Sequence, residues 1–189
     1  MKIILASQSP RRRQLLGYIL DEFELASADI DEGVLADESP KQYVERLARE
    51  KAEAIAAQQD KAEPYLVIGS DTSVIYDQHI LGKPENLAHC KHMLSMLSGR
   101  THQVLTAFSI VGNNEAITKT VTTDVTFVEL SERDIEKYWA TGEPRDKAGA
   151  YAIQGIGGKF VESINGSVSS VVGLPLAELQ QVLKEMQNL

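Results

Sequence analysis

Hydroxyl and guanidinium groups crowd the segment Ser7-Gln8-Ser9-Pro10-Arg11-Arg12-Arg13, directly after the first apolar run. Ser9 suits a helix N-cap and Pro10 the first helical position, so free backbone N–H groups point into the loop before them. With Ser7, Arg11 and Arg12 alongside, the segment is chemically suited to phosphate oxygens, each charged hydrogen bond contributing about 1.5–3 kcal/mol. The plainer reading is a solvated basic helix start. A second candidate is Asp71, in Gly69-Ser70-Asp71-Thr72, just past the apolar Leu66-Val67-Ile68. A carboxylate there can bind a hard cation or take a proton from water, or simply cap a turn. Acidic residues also gather in Asp29-Ile30-Asp31-Glu32, where another oxygen ligand is available, although such loops are commonly just solvated. Lys51 stands among Arg49, Glu50 and Glu53, where helix salt bridges account for it, whereas nothing local accounts for Lys83 in Gly82-Lys83-Pro84. Gln154 closes the glycine-rich run that begins at Gly142. Its amide carries donor and acceptor together, as reading a planar base edge requires, and a surface loop is the alternative.

The elements that must hold these residues alternate. Ile3–Leu5 reads as a buried strand, followed by a short helix over residues 10–18 and a strand around Phe23 and Leu25. Ser39-Pro40 opens a long helix reaching Ala57, and the stretch 58–64 reads as a surface loop. Strands at 66–68 and 74–75 flank the Gly69–Thr72 segment, and a helix covers 87–97. Long β-branched strands at 104–111 and 116–128 join through Gly112-Asn113-Asn114, a hairpin signal. A helix at 131–139, an irregular glycine-rich stretch, strands at 160–164 and 169–172, and a closing helix at 175–186 complete the chain. This order predicts an α/β fold with a mixed, twisted sheet and flanking helices, in one domain over residues 1–189.

Composition narrows the classes. The 189 residues are 43% hydrophobic and 24% charged, an ordinary globular balance, and no apolar run has the length of a membrane span. Nineteen Lys and Arg against 27 Asp and Glu give a net charge of -8, which repels nucleic-acid backbones. One cysteine, Cys90, allows no internal disulfide and suits the reducing cytoplasm. Gly155-Ile156-Gly157-Gly158 precedes a strand, so it is no dinucleotide fingerprint. His89, Cys90 and His92 lack the further ligands of a zinc site.

Seven blocks in order resemble the Maf family of nucleoside triphosphate pyrophosphatases: Leu5–Arg12, Tyr43–Lys51, Gly69–Thr72, Gly82–Pro84, Met93–His102, Asp146–Gly155 and Val172–Leu176. The resemblance implies hydrolysis of a nucleoside triphosphate to its monophosphate and pyrophosphate with Mg or Mn, two lobes around a central cleft as in the inosine triphosphatase group, and a homodimer. On that pattern Ser7, Arg11, Arg12, Lys51 and Lys83 cradle the triphosphate. Glu32 and Asp71 hold the cation, with Asp71 as proton acceptor. Arg11, Thr72 and Gln154 set substrate preference. The form of residues 146–155 resembles the branch acting on dTTP and UTP; Lys147 and Gln154 disfavour the 7-methyl-GTP branch. A nucleotide-binding regulator of cell division or septum formation is the alternative outside enzymology, disfavoured because every acidic and basic candidate is present. Two positions depart from the family pattern: Asn86 where Asp is usual, and Val168 where an aromatic residue is commoner.

Overall fold

The computed structural model describes residues 1–187, so the last two positions of the expected 1–189 domain lie outside the described residues. Its elements are β1 (Lys2–Ala6), α1 (Pro10–Leu16), β2 (Glu24–Ala26), α2 (Pro40–Ala56), β3 (Tyr65–Tyr76), β4 (His79–Leu81), α3 (Leu87–Leu97), β5 (Thr101–Gly112), β6 (Ala116–Phe127), α4 (Glu132–Ala140), β7 (Val161–Asn165), α5 (Val168–Val172) and α6 (Leu176–Gln187), with three 3₁₀ turns between α4 and β7. The seven strands form one mixed sheet in the order β2-β1-β3-β5-β6-β7, β4 pairing with β3. β1 runs parallel to both β2 and β3, whereas β3–β4 and β6–β7 are antiparallel. The predicted mixed α/β class is therefore what the chain adopts. No helix among the described residues is long and apolar enough to cross a membrane.

The chain divides into two compact units, and β3, β5 and β6 each contribute residues to both. The first comprises Met1–Asp71, Thr106–Val121 and the chain from Gly173 onward. Its core includes Ile4, Ala6, Ala52, Ile55 and Val67, where α2 lies on β1 and β3. Helix α2 begins with a full capping box: the Ser39 hydroxyl accepts from the Gln42 N–H while Gln42 accepts from the Ser39 N–H. Its buried stripe, Val44, Leu47, Ala48, Lys51, Ala52 and Ile55, has helical spacing but carries a lysine at its centre. The second unit comprises Thr72–Leu105 and Thr122–Val172, with α3 and α4 packed over Val104, Val125, Phe127 and Phe160.

Two local expectations change. Gly69–Thr72 interrupts nothing: β3 runs unbroken from Tyr65 to Tyr76, so Asp71 is a strand residue and not a turn cap. The segment expected to form a strand at 169–172 is the short helix α5. After the turn at Gly166, the Ser167 hydroxyl accepts from the Ser170 N–H and the Ser167 carbonyl from the Val171 N–H. That serine cap overrides the β preference of the valines. At Asn86, where the family pattern has Asp, the asparagine side chain caps α3 by accepting from the His89 N–H at 2.9 Å.

Candidate active site

The chemistry of the first unit centres on Lys51. Its ammonium lies 2.9 Å from Asp71 Oδ1 and 2.7 Å from Glu32 Oε1. The lysine and Asp71 side chains are each only 11% exposed, whereas Glu32 is 54% exposed on the loop before α2. A close approach of backbones sets this geometry. Gly69, two residues before Asp71, faces α2 so tightly that a Cβ would stand 2.2 Å from the Ala48 carbonyl oxygen and 2.7 Å from the Ala52 nitrogen. With glycine there, α2 settles onto β3 and the Lys51 side chain reaches the Asp71 carboxylate.

Arg12 is the second cation. Its Nε donates to the Gly173 carbonyl at 2.9 Å, and the buried Ser70 hydroxyl donates to the same oxygen at 3.2 Å and to the Ala107 carbonyl at 2.9 Å. Gly173 belongs to the Val172–Leu176 block, whose contact with Arg12 is this carbonyl. Burial lowers the Arg12 pKa, the neighbouring Asp71 and Glu32 carboxylates raise it, and the arginine stays charged at neutral pH. The same balance places Arg11 within electrostatic reach of Arg12. Ser9 caps α1 as expected, accepting from the Arg12 N–H at 3.4 Å, while the Ser7 hydroxyl accepts from the Ser9 N–H at 3.2 Å. Because α1 has only seven residues, the positive charge here comes from the guanidinium groups more than from the helix dipole.

Sequence reasoning missed two residues of this site. The Tyr43 hydroxyl donates to the backbone carbonyl of Glu32 at 2.9 Å. Burial, with the Asp71 and Glu32 carboxylates nearby, pushes its pKa up to about 12, so it remains a donor. Arg46 grips Glu38 through Nε at 2.6 Å and Nη2 at 2.9 Å, and donates to the Gly33 carbonyl at 2.8 Å. Together they tie the acidic loop to α2 and hold Glu32 over Lys51. The available signal was the i, i+3, i+7 spacing of Tyr43, Arg46 and Glu50, a polar stripe beside the apolar one. A similar signal marked Lys51. The i,i+4 pairs on this helix are Lys41–Glu45, Arg46–Glu50 and Arg49–Glu53, leaving Lys51 in the core stripe.

The second unit carries the other candidates. Thr72 follows Asp71 on β3. Lys83 is exposed just after β4 and forms no ion pair among the described residues. Its turn is fixed by the Gly149 N–H donating to the Gly82 carbonyl at 3.1 Å. Gly149 adopts φ +66°, and a Cβ there would sit 2.8 Å from Val74. Gln154 is exposed.

A divalent ion finds suitable donors at Glu32 and Asp71. Both carboxylates already converge on one cationic group, the Lys51 ammonium. No cluster of three or more His, Cys, Asp or Glu suited to a metal forms among the described residues. Two carboxylates are the usual protein share for a magnesium ion whose other ligands are phosphate oxygens and water. Glu32 and Asp71 would supply those two carboxylates to such an ion.

The fold is a mixed α/β sheet carrying two carboxylates clustered with a lysine and an arginine, and the chain belongs to the Maf family: the model for Maf-like proteins matches residues 2–186. Among its relatives is a dTTP/UTP pyrophosphatase of Pseudoalteromonas atlantica, 55% identical over 185 residues and covering 97% of this chain and 96% of that protein. A protein of the same name from Vibrio cholerae is 52% identical over 182 residues, covering 96% of each. Among solved structures, the Staphylococcus aureus Ham1 protein aligns over 67% of this chain and 72% of its own, at 18% identity and a TM-score of 0.45.

Proposed function

We propose that this protein hydrolyses dTTP and UTP to their monophosphates and pyrophosphate. The observation that carries the reading is the Lys51 ammonium held between the Glu32 and Asp71 carboxylates, with Arg12 beside them, in a chain about half identical to proteins named for that activity. Phosphoryl transfer asks little covalent chemistry of a protein. It needs the triphosphate positioned, its charge offset and a water activated. Ser7, Arg11, Arg12 and Lys51 bind phosphate oxygens in this reading, and Asp71 accepts the proton of the water that attacks the innermost phosphorus. Glu32 and Asp71 would hold Mg or Mn, which when bound offsets the negative charge of the phosphate oxygens. Substrate binding would draw the Lys51 ammonium toward the phosphates and free an Asp71 oxygen for its work. To Thr72, Lys83 and Gln154 the reading gives substrate contacts, Gln154 presenting its amide to the pyrimidine edge and Arg11 and Thr72 sharing in selection. The reading also places the enzyme in the cytoplasm as a homodimer. Cys90, a single buried thiol that allows no internal disulfide, is in keeping with that compartment, and burial pushes its pKa up to about 11.

Pyrophosphate release across a panel of nucleoside triphosphates tests the reading. The expected order is dTTP and UTP well above ATP and GTP, with all turnover lost in EDTA and restored by added Mg or Mn. Equal rates on ATP and dTTP would refute base selection, and full activity in EDTA would remove the metal role of Glu32 and Asp71. Lys83→Ala separates that lysine from the rest: its KM for dTTP should rise about tenfold and its kcat fall, as loss of a charged phosphate contact of about 1.5–3 kcal/mol requires. Unchanged kinetics would return Lys83 to an ordinary turn residue.

A further inference from the structure

One carboxylate holds the turn that presents Gln154. Glu143 stands just beyond α4, and its Oε1 accepts from the Ile156 N–H at 2.9 Å. Its Oε2 accepts from the Gly157 N–H at 2.8 Å and from the Tyr138 hydroxyl at 2.5 Å. That hydroxyl in turn accepts from the buried Ala152 N–H at 3.2 Å. Residues 152 and 156–157 are thereby fixed, and Ile153, Gln154 and Gly155 span the gap between two anchors.

The glycines of this stretch admit the carboxylate. Gly155 has φ +138°, and a Cβ on it would stand 2.1 Å from Glu143 Oε1. A Cβ on Gly157 would stand 2.5 Å from the Tyr138 hydroxyl oxygen. The Gly155-Ile156-Gly157-Gly158 run, which fits no nucleotide fingerprint, is thus shaped around an internal acid. Burial raises the Glu143 pKa, but hydrogen bonds from Tyr138, Gly157 and Ile156 outweigh it and hold the group below the usual carboxylate range, charged at neutral pH. Gln154 is exposed and forms no hydrogen bond of its own among the described residues, so its amide is available to a ligand on a turn whose backbone is fixed.

We infer that Glu143 is a positioning residue for substrate selection, presenting the Gln154 amide by clamping the backbone on both sides of it. This rests on the reading that Gln154 contacts the base. A side chain that discriminates by hydrogen bonds needs a fixed direction, because a wandering donor–acceptor pair accepts the wrong base edge as readily as the right one. Glu143→Gln keeps the size of the side chain but sets an amide NH₂ against backbone donors, and it has one acceptor oxygen for three donors.

The experiment measures kcat/KM for dTTP and for ATP in Glu143→Gln, Gln154→Ala and the double variant, with folding checked by circular dichroism. The expected result is a fall of at least tenfold in the dTTP/ATP ratio for Glu143→Gln, and no further fall when it is combined with Gln154→Ala. A purely structural role slows both nucleotides alike and leaves the ratio where it was; that outcome, with Gln154→Ala lowering the ratio, overturns the proposal. If Gln154→Ala itself leaves the ratio unchanged, the base-reading role fails first, and the failure is recognisable as such. Should Glu143→Gln not fold, Tyr138→Phe decides by the same ratio. It deletes one donor to the carboxylate while keeping the ring against Phe160, where the centroids lie 5.0 Å apart.

Discussion

Asp71→Asn should leave a folded protein that still binds nucleotide but turns over dTTP at a rate lower by about 10²–10⁴-fold, the range a positioned general base supplies. The reason lies in what the substitution spares. Asparagine has the shape of aspartate, and its carbonyl oxygen can still accept from the Lys51 ammonium, now 2.9 Å from Asp71 Oδ1. That ammonium keeps Glu32 at 2.7 Å, so it is not left as an uncompensated buried charge, and the loss of stability stays below the 3–5 kcal/mol typical when a buried ion pair loses one partner. What disappears is the capacity to take a proton from water, together with one anionic ligand for a divalent ion. Steady-state kinetics with dTTP, a thermal melt and calorimetric binding of dTMP separate the three consequences. A kcat within tenfold of the parent would take Asp71 out of the role of base. A collapsed melt would instead make it a structural carboxylate.

Gly69→Ala should damage stability and activity together. The new Cβ would lie 2.2 Å from the Ala48 carbonyl oxygen, 2.7 Å from the Ala52 nitrogen and 3.1 Å from the Ala52 Cβ. Two of those three atoms belong to a helix backbone, which cannot rotate aside as a side chain does. Helix α2 must therefore move away from β3, and overpacking of this kind costs about 1–3 kcal/mol or somewhat more. For a chain of this size the melting temperature should fall by about 2–4 °C per kcal/mol. The same displacement carries Lys51 away from Asp71, so kcat should drop well beyond what the fraction unfolded explains. Gly17→Ala is the matched control: Gly17 ends α1 with φ -63°, and its added Cβ meets only ordinary contacts at 3.4 and 3.5 Å. A Gly69→Ala protein with parental melting temperature and turnover would show that α2 has slack at this point, and the account of how Lys51 is placed would fail.

The two predictions mark where the sequence was legible. Helix α2 could be read from Ser39, Pro40 and the spacing of its apolar residues, because capping and periodicity are local properties. The hairpin at Gly112–Asn114 was legible for the same reason. Ser169–Val172 was not, because the Ser167 cap, four residues before the Val171-Val172 pair, outweighed the strand preference of the valines. The Gly69–Thr72 segment misled differently. Glycine, serine and aspartate are turn residues by local habit, and here the glycine serves a helix crossing a continuous strand. Lys51 looked like one partner in a surface ladder until its neighbours on the same stripe, Leu47, Ala48, Ala52 and Ile55, were seen to be buried.

By itself the sequence determined the inventory: which residues can carry charge, where helices begin, which strands alternate, and a family pattern spread over seven blocks. The choice of partners was left to tertiary structure. It set Glu32 and Asp71 on either side of Lys51, attached Arg12 to the Gly173 carbonyl 161 positions away, and closed Glu143 over the backbone of residues 156 and 157. The reason is physical. Capping and periodicity act within a turn or two of the chain, whereas an ion pair depends on distances that only the packing of one element against another can set.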